Sequence, residues 1–236
     1  MDHRALHRLL ADLLADQDGV VGRRQLLEAG AADHDIARLR RHRDLAPVHP
    51  GVYVDHTGPL SWAQRAWAAV LYAAPAALFL ESATASPRPD AVVHVAIDSA
   101  RRVRQQPGLR VHRVRGLSAL VRWSASPPRV RVEENTLELA HRARSELDVV
   151  AVLTGAVGGR ETTADRLVAA LERRPRMARR RFVVRVLADL AEGVQSVLEH
   201  RFLTRVVRAH GLPACRWQSP RRGRRGREYR DAEFGP

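Results

Sequence analysis

GVVGRRQLLEAG (residues 19–30), DHDIARLRRHRDL (33–45) and VHPGVYV (48–54) are the three stretches that decide the fold of this chain. The first reads as a short helix whose Gly30 supplies the left-handed residue after its last turn. In the second, Asp33 is a good N-cap for a third helix running to about Arg43, with Ile36 and Leu39 spaced to pack inward. The third, together with Leu45–Pro47, reads as two short strands around the Pro50–Gly51 turn. Upstream, Leu6, Leu9, Leu10, Leu13 and Leu14 recur at i, i+3, i+4 spacing and predict a helix over 3–16 that ends at Asp18-Gly19. Three helices followed by a small hairpin is the order of a winged helix-turn-helix, here spanning residues 1–57.

Further along, Ser61 to about Ala74 is an amphipathic helix, with Trp62, Ala66, Ala69, Val70 and Ala73 facing inward and Pro75 as its stop. Residues 81–90 read as a loop. Residues 91–97, 109–114 and 129–132 are strand-like, which predicts a small sheet. Helices are expected over 135–144, 146–156, 163–173, 177–190 and 196–209. These segments give a mixed connecting domain over 58–190. The tail changes character from Arg216 onward: QSPRRGRRG (218–226) has the composition of a disordered basic tail, whereas 227–234 alternates enough to suggest one strand in need of a partner. The expected fold class is α+β.

The chain has 236 residues and a formal charge of +14, from 40 basic and 26 acidic residues, and every basic residue is arginine. An excess of that kind favours a polyanionic partner, because each guanidinium offers a bidentate donor fork to phosphate and releases condensed counterions. The single cysteine, Cys215, excludes an intrachain disulfide framework and a multi-cysteine zinc site. No apolar run approaches the ~20 residues that span a bilayer, and the first residues lack an uninterrupted apolar stretch, so neither membrane association nor export is expected and a cytoplasmic protein is.

Arg38, Arg40, Arg41, His42 and Arg43 cover the faces of the third helix not taken by Ile36 and Leu39. Arginine is the side chain best shaped to bridge guanine O6 and N7 or to clamp a phosphate. Arg23 and Arg24, which start the preceding helix, suit backbone phosphates, and His49 and Tyr53 in the wing suit sugar-phosphate or minor-groove contact. A charge run is commonly only a solvated helix face. The helices-plus-hairpin context favours double-stranded DNA.

Residues 19–54 resemble the N-terminal domain of AbiEi-type antitoxins and related bacterial transcriptional regulators. The likeness rests on a Gly-Val-hydrophobic opening with Gln25-Leu26, a basic helix, and a wing reading His49-x-Gly51-Val52-Tyr53, in order and at matching spacing. It implies a winged helix-turn-helix that binds promoter DNA, and it raises a cognate nucleotidyltransferase toxin as a second partner. More weakly, residues 191–236 resemble the start of very-short-patch-repair endonucleases of the PD-(D/E)xK fold. Ser196-x-x-Glu199, Phe202, Gly211-Leu212-Pro213 and the strand containing Tyr229 to Phe234 carry that likeness.

Carried over, the resemblance makes Glu199 and Asp231 the vestigial catalytic candidates. Phosphodiester hydrolysis needs several carboxylates around magnesium, and that fold uses a lysine that this chain does not contain. The expectation is therefore a truncated, incomplete restriction-endonuclease-like segment without catalytic activity. A metal-dependent endonuclease completed by a partner or a longer product stays open as an alternative.

Other patterns carry little. Gly155 to Thr162 superficially resembles a phosphate loop, but the required Gly-Lys-Ser/Thr ending is missing. The histidines are scattered without zinc-ligand spacing. No cofactor is expected. Trp62 and Trp67, on one helix, suit a core better than a base-stacking platform.

Overall fold

Helix α1 (His3–Asp16) buries Leu10 and packs Leu13 and Leu14 against the first helical core. The chain leaves it at Gly19, whose φ of +82° and close approach to Asp55 exclude a side chain: a Cβ there would collide with the Asp55 carboxylate. Gly19 N donates to Leu14 O at 2.7 Å, and Asp55 N donates to Gly19 O at 3.0 Å, which ties the end of α1 to the wing. The computed structural model describes residues 3–85, 87–192, 199, 203–207, 211, 215–223 and 226–234.

Val20–Gly22 is a strand, β1, where the sequence reading starts a helix. The reason is tertiary. Val20 and Val21 are fully buried, and β1 pairs antiparallel with β3 (Val52–Val54), which pairs in turn with β2 (Ala46–His49), in the order β1-β3-β2. Helix α2 (Arg23–Glu28) begins only after that strand, and Gln25 Oε1 accepts from Gly22 N at 2.9 Å to cap it. Helix α3 (Asp33–Arg41) is N-capped by Ala32 rather than Asp33, and Asp35 Oδ2 accepts from Ala32 N at 3.1 Å. The Pro50–Gly51 turn has φ +73° at Gly51, the left-handed value a type II turn requires at that position.

Helix α4 (Trp62–Ala73) explains why the wing is not a separate body. Ser61 and Gln64 exchange side-chain and backbone hydrogen bonds at its start, a capping box. One face, with Ala68, Trp67, Leu71 and Tyr72, covers Val20, Val52 and Val54 of the winged sheet. The opposite face, with Ala66, Ala69, Val70 and Ala73, packs on Val93, Val95, Ile97 and Leu109 of a second sheet. Trp62, expected inside, is only partly buried.

That second sheet has five strands in the order β6-β5-β4-β8-β7, namely β4 (Ala77–Leu78), β5 (Val93–Asp98), β6 (Leu109–Val114), β7 (Val121–Arg122) and β8 (Arg129–Val130). β5 and β6 are parallel, with Ala96 opposite His112. The expected loop at 81–90 contains a 3-10 turn at Leu80–Ala83, and a one-turn helix α5 (Leu117–Leu120) precedes β7.

Compactness divides the chain at Arg131/Val132, where the sequence reading places borders at 57 and 190. The second unit opens with a helix, α6 (Val132–Arg142), three residues earlier than expected and on ground assigned partly to a strand. Glu133 and Glu134 in its first turn suit the positive end of the helix dipole. Helices α7 (Glu146–Gly158), α8 (Ala164–Glu172) and α9 (Arg180–Ala191) complete a bundle around Leu137, Val149, Leu153, Leu167, Leu171, Val183 and Leu187. Of the expected helix 196–209, the described part is a π turn at Leu203–Val207 and the helical residue Glu199; the rest lies outside the described residues.

The expected disordered tail is corrected. Cys215–Gly223 forms strand β9, paired antiparallel with β10 (Gly226–Phe234) from Gly223 opposite Gly226 to Cys215 opposite Phe234. Composition suggested no strand in 216–223 because its polar residues show no apolar alternation. The pairing comes from backbone groups that composition does not report.

Candidate nucleic-acid interface

At 100° per residue, the buried Ile36 and Leu39 of α3 place His34, Ala37, Arg38 and Arg41 on the opposite, outward face. All four are exposed, and the small Ala37 leaves the middle of the stripe low. Arg40 lies on a flank, its guanidinium carbon 5.7 Å from the centroid of the Tyr53 ring. His42 and Arg43 follow the last turn, both exposed, with Arg43 at φ +65°.

The charge on this element is sorted along its length. Asp33 and Asp35 sit in the first turn, where the dipole favours them, and each is held by an arginine: Arg23 Nη2 is 2.5 Å from Asp33 Oδ1, and Arg38 Nη2 is 3.4 Å from Asp35 Oδ1. Arg24 Nε lies 3.3 Å from Glu28 Oε1, a turn away on α2. Among the described residues, Arg40, Arg41 and Arg43 have no carboxylate partner. The uncompensated positive charge therefore collects at the C-terminal end of α3. The exposed pairs of Arg23 with Asp33 and Arg24 with Glu28 are weak and exchange readily for a phosphate.

Two wing residues sit differently from the sequence reading. Tyr53 is buried with 6% exposure, in the core with Leu26, Ile36, Leu39 and Leu45, so its ring is a platform for Arg40 and not a surface contact. His49 is half-buried against Tyr72 of α4, ring centroids 5.4 Å apart, and burial holds its pKa below the usual imidazole value. A neutral imidazole turned toward α4 is poorly suited to a phosphate. His34 and Ala37, which complete the outward stripe, are not among the residues expected from the sequence; the signal that finds them is the phase of Ile36 and Leu39.

The residues of the motif have structural roles. Gln25 donates from Nε2 to Gln17 Oε1 at 3.1 Å while its Oε1 caps α2, so one side chain joins the residue that follows α1, the end of β1 and α2. Arg23 N donates to Gly51 O at 2.7 Å, which seats the wing turn on the start of α2.

Residues 8–54 match the protein-family model described as "Transcriptional regulator, AbiEi antitoxin". The matched segment runs from within α1 to the last residue of β3, about a fifth of the chain. It lends no support to the nuclease likeness of residues 191–236. No curated protein matches the chain. Within the matched segment, Gly19, Gln25, Leu26 and Tyr53 serve to hold the fold.

Glu199 is a partly buried helical residue and Asp231 falls on β10; the Asp231 side chain lies outside the described residues, as does the expected motif around Ser196 and Phe202. Among the described residues no helix is long and apolar enough to cross a membrane.

Proposed function

We propose that this chain is a DNA-binding transcriptional regulator in which α3 lies in the major groove, with His34, Arg38 and Arg41 toward base edges. Arg40 and Arg43 grip flanking phosphates, while Arg23 and Arg24 exchange their exposed carboxylate partners for the backbone. The observation that carries this reading is the outward stripe of α3 ending in arginines with no acid partner among the described residues, beside a wing anchored to α2. The major groove admits a helix of this size, and arginine reads guanine there by two parallel hydrogen bonds. The likeness to AbiEi regulators agrees with it.

The test is fluorescence anisotropy of the full chain on a duplex from its own upstream region and on an unrelated duplex. Arg38→Ala with Arg41→Ala should weaken binding to the first by about 1–3 kcal/mol for each arginine–base pairing removed, and should reduce the preference between the two. Unchanged affinity and preference in the double variant would sink the assignment.

The reading includes no hydrolysis. It is supported by the absence of lysine from the chain, since the nuclease fold expected for residues 191–236 from their sequence would use one. Magnesium-dependent nicking of supercoiled DNA that disappears in Glu199→Ala would overturn it. The family description favours a second reading, neutralisation of a cognate toxin. Stable co-purification with a nucleotidyltransferase encoded next to this chain would support that role, and failure to bind it would remove it.

A further inference from the structure

We infer that the β9–β10 hairpin is a second DNA-contacting element, a basic two-stranded ribbon that grips the duplex backbone independently of sequence. The inference rests on the DNA-binding reading above. Antiparallel register places Arg222 opposite Arg227, Arg221 opposite Glu228, and Arg230 opposite Ser219. These four arginines fall in the half of the ribbon nearest the turn. In the other half, Cys215 is opposite Phe234 and Trp217 opposite Ala232, four residues that share one face by alternation. The half away from the turn also holds Arg216 opposite Glu233, an opposite-charge pair in register, so the unbalanced positive charge falls in the turn-proximal half.

Two like charges directly opposite on paired strands destabilise the pair. Arg222 and Arg227 occupy such directly opposed positions in the register, which a polyanionic partner would favour. Arg221 and Arg230 share the other face and have a single acid, Glu228, near them in register, so both faces of the turn-proximal half carry net positive charge. Each strand has nine residues, which at ~3.4 Å per residue gives roughly 30 Å of ribbon. A two-stranded ribbon fits a major groove about 12 Å wide, and its arginines then reach the flanking phosphates. Because the register offers guanidinium groups without a patterned set of amide side chains, the contact expected is with backbone and not with base edges.

The test measures binding of the full chain to a duplex of arbitrary sequence as a function of salt. Replacing Arg221, Arg222, Arg227 and Arg230 together by alanine should lower the slope of log Kobs against log salt by about 3–4, since each phosphate neutralised contributes ~0.9. Between about 50 and 200 mM salt the affinity of the variant then changes roughly a hundredfold less than that of the unaltered chain. Its preference for one duplex over another should be unchanged.

Replacing the same four by lysine should keep the slope, because counterion release follows charge. If the lysine variant loses as much as the alanine variant, the effect is structural and the inference falls. An unchanged slope in the alanine variant, with binding still impaired by Arg38→Ala/Arg41→Ala, overturns the hairpin and leaves the winged reading standing. Loss confined to an RNA duplex of the same sequence also overturns it. No duplex binding by the unaltered chain overturns both.

Discussion

Arg174 of the helical bundle and Arg41 of α3 show two uses of one side chain. Arg174 retains a quarter of its side-chain exposure and ends on Glu138, whose other oxygen accepts from Arg142 Nε at 2.7 Å; Arg41 stands exposed. Around the bundle the pattern repeats. Arg173 meets Glu134 at 3.0 Å, Arg166 meets Glu133 at 3.0 Å, and Arg179 and Arg180 donate to carbonyl oxygens at Ala143, Arg144, Leu171 and Arg174. In the first unit Arg101 acts the same way, donating to the carbonyls of Ala73, Ala74 and Pro75 at 2.9, 2.7 and 2.6 Å, where α4 leaves them without helical partners. A charge total thus overstates the cation available to a ligand, since many of these arginines already serve the fold. The end of α3 differs from these elements in carrying exposed arginines, Arg41 among them, with no acid partner among the described residues.

The comparison is broken most severely at Glu138. Glu138→Ala should lower unfolding stability by about 2 kcal/mol, below the ~3–5 for breaking a fully buried pair because Arg142 stays partly exposed, and should leave DNA affinity unchanged. Urea titration alongside anisotropy checks both, and a loss of binding at unchanged stability would contradict the division. Burial pushes the Glu138 carboxyl up, but side-chain hydrogen bonds from Arg142 and Arg174 and their charge outweigh it and hold its pKa below the usual 4.5. A depressed folded value means that the contribution is complete above the unfolded value. It is lost as pH falls from there through the folded one. Acid titration of Glu138→Gln should lack that component.

Arg101→Ala comes next. Three carbonyls at the end of α4 lose a charged donor, and a cost of about 1–2 kcal/mol is expected, seen as a lower melting temperature with no change in the salt slope of DNA binding. The smallest effect on stability should come from Arg23→Ala, under about 0.5 kcal/mol, because its pair with Asp33 is exposed. The same change should reduce DNA affinity and lower the salt slope by about one, the mark of a single phosphate contact. A stability loss as large as that of Arg101→Ala would move Arg23 into the structural class.

Periodicity made much of the winged segment legible. Ile36 and Leu39 fix the phase of α3, the leucines of α1 its apolar face, and Pro50-Gly51 the wing turn; each is a local pattern with a local cause. β1 was not legible, since Val20 and Val21 lie next to a helical stretch and become a strand only by pairing with Val52–Val54. The site was legible as a set of arginines and a helix, but not residue by residue. Tyr53 and His49 are amphipathic side chains whose fate depends on whether Arg40 and Tyr72 come to lie against them.

The sequence by itself determined that the chain carries a large arginine excess, that its first 55 or so residues follow a three-helix-and-hairpin order, and which face of α3 turns inward, because charge, turn chemistry and 3.6-residue spacing are properties of neighbouring residues. Only the tertiary structure decided which arginines of α3 stand without acids among the described residues, that α4 joins the wing to a second sheet by burying two faces, and that the basic stretch 215–223 is half of a hairpin. The last two depend on partners away in sequence, Val20, Val52, Val93 and Leu109 for α4 and residues 226–234 for 215–223, and no local pattern names a partner.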